Sequence, residues 1–221
     1  MALARWKAKM VGMDRVAGSL DTVRAVARFS LDVPKILPTG HCSPAKLLQR
    51  WARRTPEHLA LAFEDERFTW REVNDRANRY AAWFSEHGIG HGDVVALIMD
   101  NRPDYAFIVT ALSKIGGIAS LINTNLTGKA LAHGIGVCGA KMVLAGGEHL
   151  DAVIEVLDDL EGISPERDVR VQVAKGDPAP AGFDAINDEV NAASSREQGN
   201  RFTPHARDIY CYIYTLRIAL C

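Results

Sequence analysis

The chain has 221 residues, 48% hydrophobic and 24% charged, and its 26 basic and 27 acidic side chains leave a net charge of −1. That length supports one domain burying roughly 70% of its unfolded surface, and the even charge excludes nucleic-acid binding by bulk electrostatics. Cys42, Cys138, Cys211 and Cys221 form no Cys-x-x-Cys pair, which speaks against a disulfide scaffold or thiolate zinc site and for a reducing, cytoplasmic setting.

No apolar run reaches the ~20 residues needed to cross a bilayer, and no secretory h-region opens the chain. Residues 1–30 carry Arg5, Lys7, Lys9, Arg15, Arg24 and Arg28 against Asp14 and Asp21. Apolar residues recur at Leu3, Trp6, Met10, Met13, Ala17, Leu20 and Val23, a helical spacing. A basic amphipathic helix of this kind suits an anionic membrane surface, packing as a leader on the protein body, or a presequence. Pro34, Pro38 and Gly40 then mark a linker up to Cys42.

Ser43-Pro44 opens a helix with a serine cap and Pro in the first turn, running through Leu47, Leu48 and Trp51. Leu59–Phe63 and Phe68–Trp70 flank a polar turn and predict a hairpin. Thr69-Trp70-Arg71-Glu72 has capping-box spacing. The following helix should bury Trp70, Val73, Ala77, Tyr80, Ala81 and Phe84 and end at Gly88.

From Asp93 the pattern alternates strand and helix. Strands are expected at Asp93–Met99, Ile118–Ile122, Lys141–Leu144, Val169–Ala174 and Ile209–Tyr214. Helices are expected from Pro103 through Ile115, from Thr127 to Val137, and from His149 to Leu160 with Val153, Ile154 and Leu157 inward. Residues 175–207 read as loop with a short helix around Phe183–Asn191. The alternation predicts an α/β fold, a mostly parallel sheet flanked by helices.

Several patterns invite misreading. Gly134-Ile135-Gly136-Val137-Cys138-Gly139 fits G-x-G-x-x-G, but a helix precedes it and a strand follows, the reverse of what dinucleotide binding requires. A small nucleotide-binding enzyme built on those glycines is the outlying alternative. His87 and His91 have i, i+4 spacing but lie among Gly88, Gly90 and Gly92, so they share no helix face. His41-Cys42 are neighbours with no orienting acid placed beside them. Asp158-Asp159 and Glu161 read as a solvated face. Asn123-Thr124-Asn125 follows a central strand at the edge where α/β sheets bind ligands, serving either a ligand or the turn itself.

Three blocks carry a family resemblance. Tyr212-Ile213-Tyr214-Thr215 resembles the opening of the Tyr-Thr-Ser-Gly-Thr-Thr-Gly-x-Pro-Lys signature of adenylate-forming acyl-CoA synthetases. Phe68–Asn74 resembles that family's first conserved block. Ala111–Gly117 with Leu121–Leu126 resembles the second, in the form of the long-chain and very-long-chain branch that includes the fatty acid transport proteins. The resemblance runs from about Pro44 to Thr215, the front part of a synthetase.

It implies ATP-dependent activation of a fatty acid to acyl-AMP and then acyl-CoA, with ATP, Mg²⁺ and CoA as cofactors and a fatty acid as substrate. Tyr214 and Thr215 are the residues it assigns, as the start of an ATP phosphate loop. Residues 216–221, Leu-Arg-Ile-Ala-Leu-Cys, replace the rest with no glycine, serine, threonine or lysine. The expected organisation is a leader helix and linker over 1–42, an incomplete AMP-binding domain over 43–215 and a divergent tail over 216–221. The expected function is that of a truncated long-chain fatty-acid–CoA ligase, inactive alone, with a standalone acyl- or partner-binding module as the alternative. None of the cofactors is expected to bind it well. Peripheral membrane contact through residues 1–30 and self-association through the unpaired strand Ile209–Tyr214 complete the expectations.

Overall fold

The computed structural model describes residues 43–160, 163, 168–173, 183, 185–197 and 202–214. The expected leader over 1–42, the His41-Cys42 pair, Glu161, Thr215 and the tail over 216–221 lie outside those residues. Apart from His205–Arg207, which group separately, the described residues belong to one compact unit.

The first helix, α1 (Pro44–Arg54), starts as its sequence dictates. Ser43 stands in extended backbone, its hydroxyl accepts from the Lys46 N–H at 3.2 Å, and Pro44 occupies the first turn. Only Ala45 and Leu48 are buried on it; Leu47 and Trp51 are 46% and 41% exposed. The apolar stripe is wider than the surface α1 packs on.

Strands β1 (Leu59–Phe63) and β2 (Glu66–Thr69) form the expected antiparallel hairpin. A two-residue turn of this kind calls for positive φ, and Glu64 adopts it at 49° although it is not glycine. The Arg67 guanidinium donates to the Glu64 carbonyl at 2.6 Å and so braces that turn. Helix α2 (Trp70–Glu86) follows with its capping box closed. The Thr69 hydroxyl accepts from the Glu72 N–H at 3.3 Å, and the Glu72 carboxylate accepts from the Thr69 N–H at 2.7 Å.

The remaining strands are β3 (Val94–Ile98), β4 (Ile118–Leu121), β5 (Met142–Gly146), β6 (Val169–Gln172) and β7 (Cys211–Ile213). They form one parallel sheet in the order β6-β5-β3-β4-β7. Every residue of β3 and β5 is buried, which is why both read as unbroken apolar runs.

Two cores cover the two faces. On one, α2 and α3 (Pro103–Ile115) place Phe84, Phe107 and Leu112 against Val95, Leu97 and Ala119. On the other, α4 (Gly128–Val137) and α5 (Leu150–Glu155) place Leu131, Ile135 and Val153 against Ala96, Ile98 and Val143. A short helix, α6 (Asn187–Ala192), joins the first core through Val190.

Three expectations change in detail. The segment 149–160 is not one helix: 3-10 turns at Gly147–His149 and Leu157–Asp159 bracket α5. The tighter pitch keeps Leu150, Val153, Val156 and Leu160 inward and leaves Ile154 42% exposed. The short helix begins at Asn187 rather than near Phe183. Strand β7 spans Cys211–Ile213 and pairs with β4 on one side.

Candidate functional site at the carboxyl edge of the sheet

Residues that leave the carboxyl ends of the strands decide what this fold can hold. After β3 the chain turns to α3 on one face; after β4 it turns to α4 on the other. From β5 the chain runs through α5 towards β6 on that second face, so the connections leaving β3 and β5 diverge, and the topological switch point, where open α/β sheets take ligands, lies between their carboxyl ends.

Asn123–Asn125 follows β4 at the same carboxyl edge of the sheet. The Asn123 side-chain oxygen accepts from the Asn125 backbone N–H at 2.9 Å and from its side-chain amide at 3.1 Å. This is an Asx turn that leads into α4, so the turn itself uses the acceptor that a ligand would need. Both asparagines are exposed.

Tyr214 follows β7, farther along this edge. Its phenol lies 3.1 Å from the hydroxyl of Ser120, a residue with no solvent exposure on β4. Burial pushes the Tyr214 phenol above its ordinary pKa, and the Ser120 bond works against that rise. Of the two residues singled out for the phosphate loop, Tyr214 therefore sits at the expected sheet edge. Thr215 is not among the described residues.

The other half of the edge is held by Arg102, which the sequence did not single out. It lies between β3 and α3, and its guanidinium donates to the Glu148 carboxylate at 2.7 Å and to the Gln172 carbonyl at 3.0 Å. Its Nε donates to the Gln172 side-chain oxygen at 3.0 Å. The Asp100 N–H also donates to Glu148, at 2.9 Å. Burial disfavours the Glu148 charge, but the Arg102 and backbone bonds outweigh it and hold the carboxyl below its usual range. A Cβ on Gly146 would collide with the Glu148 carboxylate, so glycine at the end of β5 is what lets that carboxylate fold back to Arg102.

Asp100, Glu148 and His149 bring one ligand atom each within 4.8 Å of one another. The His149 ring nitrogen already meets Asp100 at 2.8 Å, and Glu148 is held by Arg102. The trio is knit to itself and to the arginine.

The remaining candidates have structural partners. Gly134 and Gly136 lie within α4, Gly139 at φ 60° follows it, and β5 comes next, so no helix N-terminus faces a pyrophosphate there. His87 stacks on Trp83 at 4.2 Å and its Nδ1 lies 2.8 Å from the Trp83 carbonyl. His91 stacks on Phe202 at 4.4 Å, so the two rings serve different neighbours.

A cavity of about 770 Å³ opens beside the hairpin turn, floored by Phe63, Phe68 and Phe107. Glu64, Asp65, Glu66, Asp104 and Asp188 line it against Arg76 and Arg102. Asp104 accepts from the Tyr80 hydroxyl at 2.8 Å, and burial, reinforced by that carboxylate, drives the Tyr80 pKa far up. Arg102 is already committed to Glu148 and Gln172, which leaves this cavity predominantly acidic.

Comparison with known proteins accounts for this arrangement. The family described as AMP-binding enzyme matches residues 48–215. Long-chain fatty acid transport protein 6 of Mus musculus is 31% identical over 166 residues, covering 74% of this chain and 26% of its own length. Medium/long-chain-fatty-acid–CoA ligase FadD6 of Mycobacterium tuberculosis is 32% identical over 146 residues, 62% of this chain and 24% of the ligase. An acyl-CoA synthetase of Brucella canis superposes with a TM-score of 0.67 at 21% identity, over 86% of this chain and 34% of that one, a likeness of fold. This chain thus spans about a quarter of the length of the curated relatives it matches. The chain belongs to the AMP-binding enzyme family.

Proposed function

We propose that this chain is the front section of a fatty-acid-activating domain, the part that builds the sheet, and that it does not complete the reaction by itself. The family match over residues 48–215, together with relatives named for long-chain fatty acids, carries this reading. In the whole enzyme the fatty acid carboxylate attacks the α-phosphate of ATP, pyrophosphate leaves, and the CoA thiol then displaces AMP to give the thioester. Tyr214 and Thr215 would begin the loop around the ATP phosphates, and Mg²⁺ would share their charge.

The donor set present here does not fit a polyphosphate. A phosphate loop needs close backbone approach and a lysine. Residues 216–221 supply neither glycine nor lysine, and Arg102, at the same sheet edge, is engaged by Glu148 and Gln172. What Arg102, Glu148 and Gln172 do is tie the ends of β3, β5 and β6 together. The cavity beside the hairpin gives no support to the alternative of an acyl-binding module, because its carboxylates repel a fatty acid anion. The basic stretch over residues 1–30 would add peripheral contact with a membrane.

Incubating the purified chain with palmitate, Mg-ATP and CoA tests the reading. No pyrophosphate and no palmitoyl-CoA should form. Thioester formation dependent on both ATP and CoA would overturn it.

A further inference from the structure

The outward side of α1 departs from the packing logic of the rest of the fold. At 100° per residue, positions 47, 50, 51 and 54 share one side of the helix. That side carries Leu47 and Trp51, 46% and 41% exposed, interleaved with the exposed Arg50 and Arg54. The Arg54 guanidinium stands 6.0 Å over the Trp51 ring, which stacks on Trp70 at 6.0 Å. Leu59, in register with Thr69 beside Trp70, is 58% exposed. The helix holds Lys46, Arg50, Arg53 and Arg54 and no acidic residue. Arg53 turns away to Glu197 at 2.8 Å, whereas Arg50 and Arg54 form no ion pair among the described residues.

From this juxtaposition we infer that the Leu47–Arg50–Trp51–Arg54 face of α1 docks on an anionic lipid surface. Tryptophan suits the headgroup boundary, where its ring is shielded and its N–H stays solvated. Arginine matches phosphate oxygens in a fork and stacks on the same ring. The face is one side of a single helix, which a planar lipid surface accepts without a groove. A nucleic-acid backbone would satisfy the arginines and leave Leu47 and Leu59 in water. The inference uses residues outside 1–30 and does not depend on acyl activation.

Co-sedimentation of the full chain tests it, with vesicles of phosphatidylcholine mixed with phosphatidylglycerol compared with phosphatidylcholine alone. The chain should bind the mixed vesicles. Arg50→Glu with Arg54→Glu should weaken that binding at least about tenfold, since each basic side chain near an anionic surface contributes several-fold. Leu47→Ser, at an exposed site that the fold does not use, should weaken it as well, and circular dichroism should show both variants folded. Unchanged binding in the α1 variants, or no binding by the unaltered chain, overturns the inference. Loss of binding in Trp6→Ser with the α1 variants intact would place the contact in residues 1–30 and overturn it too.

Discussion

Arg102 and Glu148 lie 46 residues apart in sequence and meet at 2.7 Å, where the loop after β3 passes the turn after β5. The same guanidinium closes on Gln172 at the end of β6, so one side chain ties three strand ends together. The Arg102 side chain is only 11% exposed, whereas that of Glu148 is 30% exposed, so water replaces part of what the carboxylate loses when Arg102 is removed. Arg102→Met should lower unfolding stability by about 1–2 kcal/mol, between the values for an exposed and a buried pair. Arg102→Lys should recover only part of it, since an ammonium cannot reproduce the fork. Urea unfolding of the three proteins checks both; a loss below about 0.5 kcal/mol would mean the pair is mere surface decoration.

The same pair sets an acid limit. The folded Glu148 carboxyl titrates below its unfolded value of about 4.3, so as pH falls the unfolded chain takes up this proton first. Its stabilisation is complete above the unfolded value and disappears as pH drops through the folded one. Glu148→Gln should therefore flatten the fall in stability below about pH 4.3, measured by urea midpoints across the acid range.

Lys114 carries the opposite sign. Burial, with Lys46 and Arg53 adding to it, pushes its ammonium down to about 8, and it donates to Asn74 at 2.9 Å. Between about pH 8 and 10.4 the unfolded chain holds a proton that the folded chain has released, so stability rises with pH through that window. Below it the folded state bears the whole cost of a buried charge. Lys114→Met should raise stability near neutral pH by roughly 1–2 kcal/mol, the desolvation gain exceeding the lost hydrogen bond, and should flatten the alkaline rise. A destabilised variant at neutral pH would show that the Asn74 bond dominates.

At the start of α2, Thr69 and Glu72 satisfy each other's backbone N–H. Thr69→Ala should cost about 1 kcal/mol, and Thr69→Ser should restore most of it. Thermal unfolding with both variants checks this.

Strand β7 pairs only with β4 among the described residues, and Ile213 is 71% exposed beside Tyr214 at 39%. An open, low-charge strand edge recruits other strands, so the chain expressed alone should self-associate. Ile213→Lys should shift it towards monomer by light scattering; a monodisperse unaltered monomer would show that the edge is covered.

Local chemistry was legible in the sequence. Serine and proline at the start of α1, the threonine–glutamate box of α2 and the apolar runs of β3 and β5 each state their structure within a few residues, because capping and double-sided burial are local demands on composition. The motif ending in Tyr214-Thr215 likewise marked the family and the sheet edge. Tertiary structure alone decided the rest. Arg102, Glu148 and Gln172 are ordinary polar residues in sequence, and only the parallel order β6-β5-β3 brings their strand ends together. Trp51 and Leu47 look like core on a helical wheel, yet α1 covers its neighbours with Ala45 and Leu48 and leaves them exposed. Periodicity tells which residues share a side; what stands opposite that side is settled by the packing of distant segments.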